Sequence, residues 1–484
     1  MNLQRGKPSG LKVLGQTFTN LFRKRVIFSC ACVLGLVGAA GAATFTDPDP
    51  EVSSTEFGHA IVVIGDVTGD GIPDLAVAAP FQDGEFVSTA AGYGYPQNVG
   101  KIYFVDGATF AVFNQLSDPE FDLIQPQHFG GQLGGSLAVI ADINGDGVKD
   151  IIGGVPHHIG DPDEREQEIL GGKTLVFSGK TGALLFDLQD PTETEGGRFG
   201  YAVAGLGDVD GDGFADILVG APGRDIPDED GVRHVGLCYI FSGKTGQAIR
   251  TINHPDFGGA EAGALFGSSV ANAGDVDGDG VTDMIIGAPG EGHVFVFSGA
   301  SGAQIYDMIS PVADPIPSFG FAVDGGKDFD GDGKPDFVIG APLSKNMRGA
   351  AYTFNGSTGQ LLRTLKPSVV QNFARFGASV FASDDITGDR RADILVGAPD
   401  QNVNGVTHAG EVFVINGGNG KVFQSLISAS PQSGARYGLA VSSADFDGDG
   451  KNTAIVGVPD KSLRLDDGTG TIVTHVQIGQ VEIQ

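Results

Sequence analysis

Tryptophan is absent from this 484-residue chain, and cysteine occurs only at Cys30, Cys32 and Cys238. The missing Trp excludes repeat folds whose units lock together through recurrent indole packing. The cysteines exclude a disulfide framework, because Cys30 and Cys32 share one apolar N-terminal run and Cys238 is left alone. Basic residues are scarce, 30 Lys and Arg against 60 Asp and Glu, for a formal net charge of −30. That balance argues against nucleic acid or an anionic membrane surface as partner. Long apolar runs are missing apart from one, Val26–Ala43. It follows Arg5, Lys7, Lys12, Arg23, Lys24 and Arg25, with no acid among them, and holds Ala40-Gly41-Ala42 as an A-x-A cleavage site. Residues 1–43 are therefore expected to be a secretory signal peptide, with an N-terminal anchor as the alternative. A membrane is a partner only if that segment is uncleaved. Phe28, two residues before Cys30, makes a poor lipobox. Residues 44–484 are expected to form one domain that is secreted, periplasmic or on the cell surface, stapled by something other than disulfides.

Glycine is abundant, with 78 residues, and aspartate recurs at fixed spacing. The stretch "DVDGDGFADILVGAP" (Asp208–Pro222) puts carboxylates at loop positions 1, 3, 5 and 9 and glycines at 4 and 6, where a tight loop needs positive φ. An oxygen-rich set of this kind suits a hard divalent cation, Ca²⁺ first. The loop is not an EF-hand, because position 12 is Val219 rather than a bidentate Glu and Ala221-Pro222 follow where a helix would continue. It must lie between two strands and be closed by Asp216. Seven copies occur, each reaching a Pro fourteen residues after its first Asp. The candidate ligands are Asp66, Thr68, Asp70 and Asp74 in copy 1, and Asp142, Asn144, Asp146 and Asp150 in copy 2. Copies 3, 4 and 5 carry the full carboxylate set: Asp208, Asp210, Asp212, Asp216; Asp275, Asp277, Asp279, Asp283; Asp328, Asp330, Asp332, Asp336. Copy 6 offers Asp385, Asp389 and Asp393 but has Thr387 at position 3 and Arg390 at the second glycine position. Copy 7 offers Asp445, Asp447 and Asp449, with Thr453 where the closing Asp belongs. About five strong calcium sites are expected, with copies 6 and 7 weak.

Around each loop the sequence reads as strands. An aromatic-Gly pair stands nine residues before the first Asp in five copies, from Phe57-Gly58 to Phe376-Gly377, while Leu133-Gly134 and Tyr437-Gly438 serve copies 2 and 7. Alternating runs follow, such as "HVFVFSG" (His293–Gly299) and "ALLFDL" (Ala183–Leu188). Each copy thus has strand A before the loop, B up to Pro, then C and D. Seven such units predict an all-β fold, a seven-bladed β-propeller of four-stranded blades. Copy 7 has a C strand near Gly479–Ile483 and no D strand. "ATFTDPDPEVSSTEFG" (Ala43–Gly58) matches "LFDLQDPTETEGGRFG" (Leu185–Gly200), so the N-terminal strand is expected to close the last blade.

The stretch "RFGYAVAGLGDVDGDGFADILVGAP" (Arg198–Pro222) resembles the FG-GAP repeat of integrin α-subunit propellers and bacterial surface proteins. The resemblance runs from about Thr44 to the last residue. It implies calcium in the A–B loops and ligand contacts on the opposite face, and it leaves the ligand open. The B–C loops are long in copies 1 (Phe81–Val99), 2 (His157–Leu170), 3 (Gly223–Val235) and 7 (Asp460–Ile478), medium in copy 6 and short in copies 4 and 5. In a closed ring the long ones are neighbours and form one rim, where binding is expected. Phe81, Phe86, Tyr93 and Tyr95 are candidate anchors for a protein or glycan ligand, or they pack the first loop onto its blade. His157, His158, Asp161, Asp163 and Glu164 read as a solvated loop rather than a catalytic cluster. No nucleophile elbow, zincin helix or phosphate loop is found. The "SGKTGALL" turn is similar to one in quinone-dependent dehydrogenase propellers, but those, like WD repeats, rely on Trp. The expected function is calcium-dependent, adhesion-like recognition of a macromolecule. A calcium-dependent polysaccharide-active enzyme and a structural module of a surface assembly are the alternatives.

Overall fold

The computed structural model describes residues 43–48, 55–83, 87–89, 92–94, 98–119, 130–157, 171–192, 197–223, 225–228, 231–256, 263–367, 371–460, 462–466, 472–477 and 480–483. The expected signal segment lies outside them, apart from Ala43. Seven four-stranded antiparallel sheets form a ring of blades, a β-propeller. Blade 3 shows the plan: strand A is Ala202–Gly205, B is Ile217–Ala221, C is Leu237–Phe241 and D is Ala248–Asn253. Each A strand touches the A strands of both neighbouring blades, and the circuit closes from Val441–Ala444 of blade 7 to Ile61–Gly65 of blade 1. Blade 7 is completed as the sequence suggests. Ala43–Thr46 pairs antiparallel with Gln480–Ile483, from Ala43↔Ile483 to Thr46↔Gln480, and becomes its D strand.

Burial follows from the ring. The B strands Ile217–Ala221 and Asp283–Ala288 are buried along their whole length, because a blade packs on both faces. The D strand Ala248–Asn253 lies at the outer edge and is mostly exposed. Seven hydrophobic clusters result, each drawing on two consecutive blades. The repeat's aromatic anchors these seams. Phe199 is fully buried with ring centroids 5.7 Å from Tyr239 and 5.6 Å from Phe241, a burial that stabilises by roughly 1.5–3 kcal/mol. The glycines make a single contact across the seam: a Cβ on Gly220 would meet the carbonyl oxygen of Gly267, in the next blade, at 2.0 Å, and Gly267 itself has φ +86°. The two halves of the repeat motif therefore meet twice: within a blade, where the Gly200 N–H reaches the Gly220 carbonyl at 3.1 Å, and between blades, where Gly220 lies against Gly267.

Antiparallel order puts the A–B and C–D turns at one end of each blade and the B–C and D–A connections at the other. Three of the long B–C loops carry two-stranded ribbons: Val87–Thr89 with Gly92–Gly94, Asp225–Asp228 with Gly231–His234, and Ser462–Asp466 with Ile472–Gln477. In blade 2, residues 158–170 lie outside the described residues. The short B–C loop of blade 5 holds an element that alternation does not foretell. Ser344–Met347 is a left-handed turn, with Lys345, Asn346 and Met347 at φ 53°, 62° and 58°. Cys238 is a free thiol, fully buried, and burial pushes its pKa far up. No helix among the described residues is long and apolar enough to cross a membrane.

Candidate metal centres

Each A–B loop is wound by its own carboxylates. In cage 3, Asp208 Oδ1 accepts the N–H groups of Gly211 (2.7 Å) and Asp212 (3.0 Å), and Oδ2 accepts that of Gly213 (2.8 Å). Gly211 and Gly213 stand at φ +80° and +92°, as the spacing requires. Asp212 Oδ1 accepts the N–H of Phe214 at 2.9 Å. The same first-Asp winding recurs from Asp66, which takes the N–H groups of Gly69 and Gly71, to Asp445, which takes those of Gly448 and Gly450. Cage 6 keeps it through Arg390, whose N–H reaches Asp385 at 2.7 Å from a left-handed φ of 68°. A long side chain there occupies a backbone region that glycine fills without strain.

The closing Asp stitches the cage to the C–D turn. Asp216 is fully buried; its Oδ2 accepts the N–H of Val209 (2.8 Å) and its Oδ1 that of Gly243 (3.1 Å). Asp74, Asp150, Asp283, Asp336 and Asp393 make the matching bonds to Gly107, Gly179, Gly299, Gly356 and Gly417. Blade 7 has no such stitch: Thr453 stands in place of the Asp, and its D strand, Ala43–Thr46, is not joined to its C strand, Gln480–Ile483, by a turn. Burial lifts the carboxyls of Asp216 and Asp336 to about 6, with nearby carboxylates adding to the push, and it raises Asp150, Asp283 and Asp393 as well. At position 1 the balance reverses. The Gly147 and Gly450 N–H groups hold Asp142 and Asp445 below the usual carboxylate range, and for Asp208 such bonds outweigh burial.

Five loops gather three carboxylates with oxygens within 4.8 Å of one another. In cages 2 and 3 the triads are Asp142, Asp146, Asp150 and Asp208, Asp210, Asp216, which include the closing Asp. In cages 4, 5 and 7 they are Asp275, Asp277, Asp279; Asp328, Asp330, Asp332; and Asp445, Asp447, Asp449. Cage 7 thus draws its first three carboxylates together despite Thr453. Cages 1 and 6, where Thr68 and Thr387 replace a carboxylate, show no such triad among the described residues. The donor set consists of hard anionic oxygens ordered by backbone N–H groups, and it fits a divalent cation. Sequence reading missed the polar residues behind the cages. Ser178 and Ser242 donate to Asp146 Oδ2 (2.8 Å) and Asp212 Oδ2 (3.1 Å), and Asn355 and Asn416 donate to Asp332 (2.9 Å) and Asp389 (2.6 Å). Their signal was the Ser-Gly or Asn-Gly pair that closes each of these C strands.

Other candidates are less assembled. Phe81 is half-buried, its N–H 3.3 Å from the Thr55 carbonyl, and Tyr93 lies on the ribbon strand Gly92–Gly94. Phe86 and Tyr95 fall outside the described residues, as do His158, Asp161, Asp163 and Glu164. His157 is half-buried, and burial, with the Arg198 charge, lowers its imidazole pKa. A cleft of about 230 Å³ between blades 4 and 5 holds Glu291 and Asp314, whose oxygens already bond His254 and Ser344, each at 2.5 Å.

The FG-GAP repeat matches residues 57–105, 199–236, 266–306, 319–357 and 376–415, which are blades 1, 3, 4, 5 and 6. The unmatched blades are those with Leu133 and a displaced Tyr437 in the aromatic place. Among known proteins the chain is similar to integrin alpha pat-2 of Caenorhabditis elegans, 28% identical over 271 residues, covering 51% of this chain and 21% of the relative. Integrin alpha-V of Gallus gallus is 33% identical over 224 residues (43% and 20%), and integrin alpha-PS2 of Drosophila melanogaster 36% over 229 (44% and 15%). The chain spans about a fifth of the length of these relatives. Five repeat matches and the closed ring of blades lead to one assignment: the chain carries FG-GAP repeats in a seven-bladed β-propeller and has homologues among the integrin α subunits.

Proposed function

We propose that this chain is a secreted or surface-associated, calcium-stabilised propeller. It recognises a macromolecular ligand, protein or glycan, on the rim of B–C loops of blades 7, 1, 2 and 3. The observation that carries the reading is a division of labour between the two ends of the ring. Carboxylate triads gather in the A–B loops, and the ribbons extend from the B–C loops at the far end. Calcium fixes blade geometry and does not touch the ligand. About five cages bind it well; cage 6, with Arg390, and cage 7, without its stitch, bind it weakly. The basic and apolar N-terminal segment supports export.

Replacing residues 81–99 by a short turn tests the rim. Binding to immobilised extracellular proteins and a glycan array should vanish while the calcium-dependent melt is retained, because surface loops cost little to alter. Undiminished binding by the folded variant would remove that loop from the site. Polysaccharide turnover by the intact chain in Ca²⁺ would favour the enzyme alternative instead.

A further inference from the structure

Three basic side chains cross blade boundaries at one repeated place. Lys334, Arg391 and Lys451 occupy position 7 of cages 5, 6 and 7. Each reaches back to position 4 of the cage before it. A Cβ on Gly278 of cage 4 would meet Lys334 Nζ at 3.0 Å. One on Gly331 of cage 5 would meet Arg391 Cζ at 3.3 Å, and one on Gly388 of cage 6 would meet Lys451 Nζ at 2.9 Å. Arg391 also donates from Nη1 to the Asp330 carbonyl at 3.1 Å, and the N–H of Asn452, beside Lys451, reaches the Asp385 carbonyl at 2.8 Å.

The other cages are built differently. Position 4 of cages 7, 1, 2 and 3 (Gly448, Gly69, Gly145 and Gly211) has nothing within 4 Å of an added Cβ. The residues at position 7 of the next blade in each case, Ile72, Val148, Phe214 and Val281, are uncharged. Cages 2 and 3 do carry a lysine each, but from their own blade: Lys180 Nζ reaches the Asp146 carbonyl at 2.7 Å, and Lys244 Nζ the Asp212 carbonyl at 3.1 Å. Those bonds lie within a single blade.

We propose that Lys334, Arg391 and Lys451 are built-in cations that tie blades 4 to 7 in series and weaken divalent-cation binding in cages 4, 5 and 6. The proposal rests on the reading of the cages as cation sites. A fixed positive charge beside an anionic loop neutralises part of the field that would hold an ion, and it repels the ion that arrives. The same charge holds the boundary when no ion is present. Ligand count alone ranks cages 3, 4 and 5 as equals, since each has four Asp. The arms separate them: cages 4 and 5 share their anionic field with the neighbouring blade. Metal binding there competes with an interblade tie.

The test is a Ca²⁺ titration by calorimetry of the full chain and of the triple variant Lys334→Met, Arg391→Met, Lys451→Met. Amide hydrogen exchange of both proteins in chelator accompanies it. Removing the arms should tighten the weaker class of sites by roughly three- to tenfold, the range expected for one unit charge removed near a divalent ion in salt. In chelator, the variant should exchange faster than the unsubstituted chain in the A–B loops of blades 4, 5 and 6 and no differently from it in blades 2 and 3. Identical isotherms and identical exchange overturn the proposal while leaving the cages as cation sites. Absence of Ca²⁺ binding in both proteins overturns the arms and the cation-site reading together. If folding of the triple variant fails, the single variant Lys334→Met carries the same readout for cage 4.

Discussion

The ring has two arcs that solve the same problem by different means. Blades 4 to 6 have short or medium B–C loops, and basic side chains from the following blade lie against their cages. Blades 7, 1, 2 and 3 have the long loops, and Lys180 and Lys244 stay within their own blades. In that second arc one seam instead holds a buried ion pair. Lys173 of blade 2 and Asp118, which follows the last strand of blade 1, are both fully buried, 2.9 Å apart, with Asp187 at 3.6 Å from the same ammonium. The comparison teaches that identical repeat motifs do not make identical seams. The motif fixes the apolar contact, and the polar residues beside it differ from seam to seam.

Chelation should expose the difference most strongly. Five sites filled at a hundredfold excess over Kd would contribute on the order of 10 kcal/mol, so calcium removal should lower the melting temperature sharply. Hydrogen exchange should rise first in blades 1 to 3, and equal deprotection of both arcs would break the comparison. Lys173→Met comes next. Leaving Asp118 charged in the seam should cost about 3–5 kcal/mol, read as a lower denaturant midpoint. Replacing Asp216 by Ala strips the partners from the Val209 and Gly243 N–H groups and should cost about 2–4 kcal/mol even in chelator. Thr453→Asp, which offers the Phe446 N–H of blade 7 the closing carboxylate it lacks, should move the midpoint the other way.

The smallest effect is expected at Asp324, on the innermost strand of blade 5. Its Oδ2 accepts the Ala382 N–H of blade 6 at 2.8 Å. The residue keeps some surface, but protein packs densely around the carboxyl, and that burial pushes it up to about 6 from 3.8. The folded state therefore keeps a proton that the unfolded state has lost. Its contribution is full below pH 3.8 and disappears as pH rises to about 6. Given the partial exposure, the loss is at most on the order of 2 kcal/mol. Asp324→Asn in saturating Ca²⁺ should flatten that part of the stability–pH curve, and an unchanged slope would assign it to other carboxyls.

Blade number, strand order and cage position were all legible in the sequence, because one spacing serves both the loop and the strand that follows it. Asp208, Gly211, Gly213 and Asp216 lie within a nine-residue window, so linear order suffices. Even the closing strand was legible, through the likeness of Ala43–Gly58 to Leu185–Gly200. The arms were not. Lys334 and Gly278 meet only because two blades stand side by side, and nothing local to "GDGKPD" announces it. Nor was the left-handed turn at Lys345–Met347, which no glycine marks. The triad at Asp445, Asp447 and Asp449 shows a third limit: Thr453 removes the closing carboxylate but not the winding of the loop by Asp445.

The pairing of Ala43–Thr46 with Gln480–Ile483 also sets a timetable. The two partners are separated by nearly the whole chain, and joining ends so distant carries an entropy cost of roughly 5 kcal/mol from loop length alone. Neighbouring blades need only local contacts, so they assemble early and the ring closes late. Until Gln480–Ile483 is synthesised, blade 7 has an open edge, and the first strand has no sheet to join. A nascent chain therefore remains an open arc, and two such arcs at high concentration offer each other the same strand that each needs for itself. Dilution favours closure within one chain, because only pairing with a second copy depends on concentration.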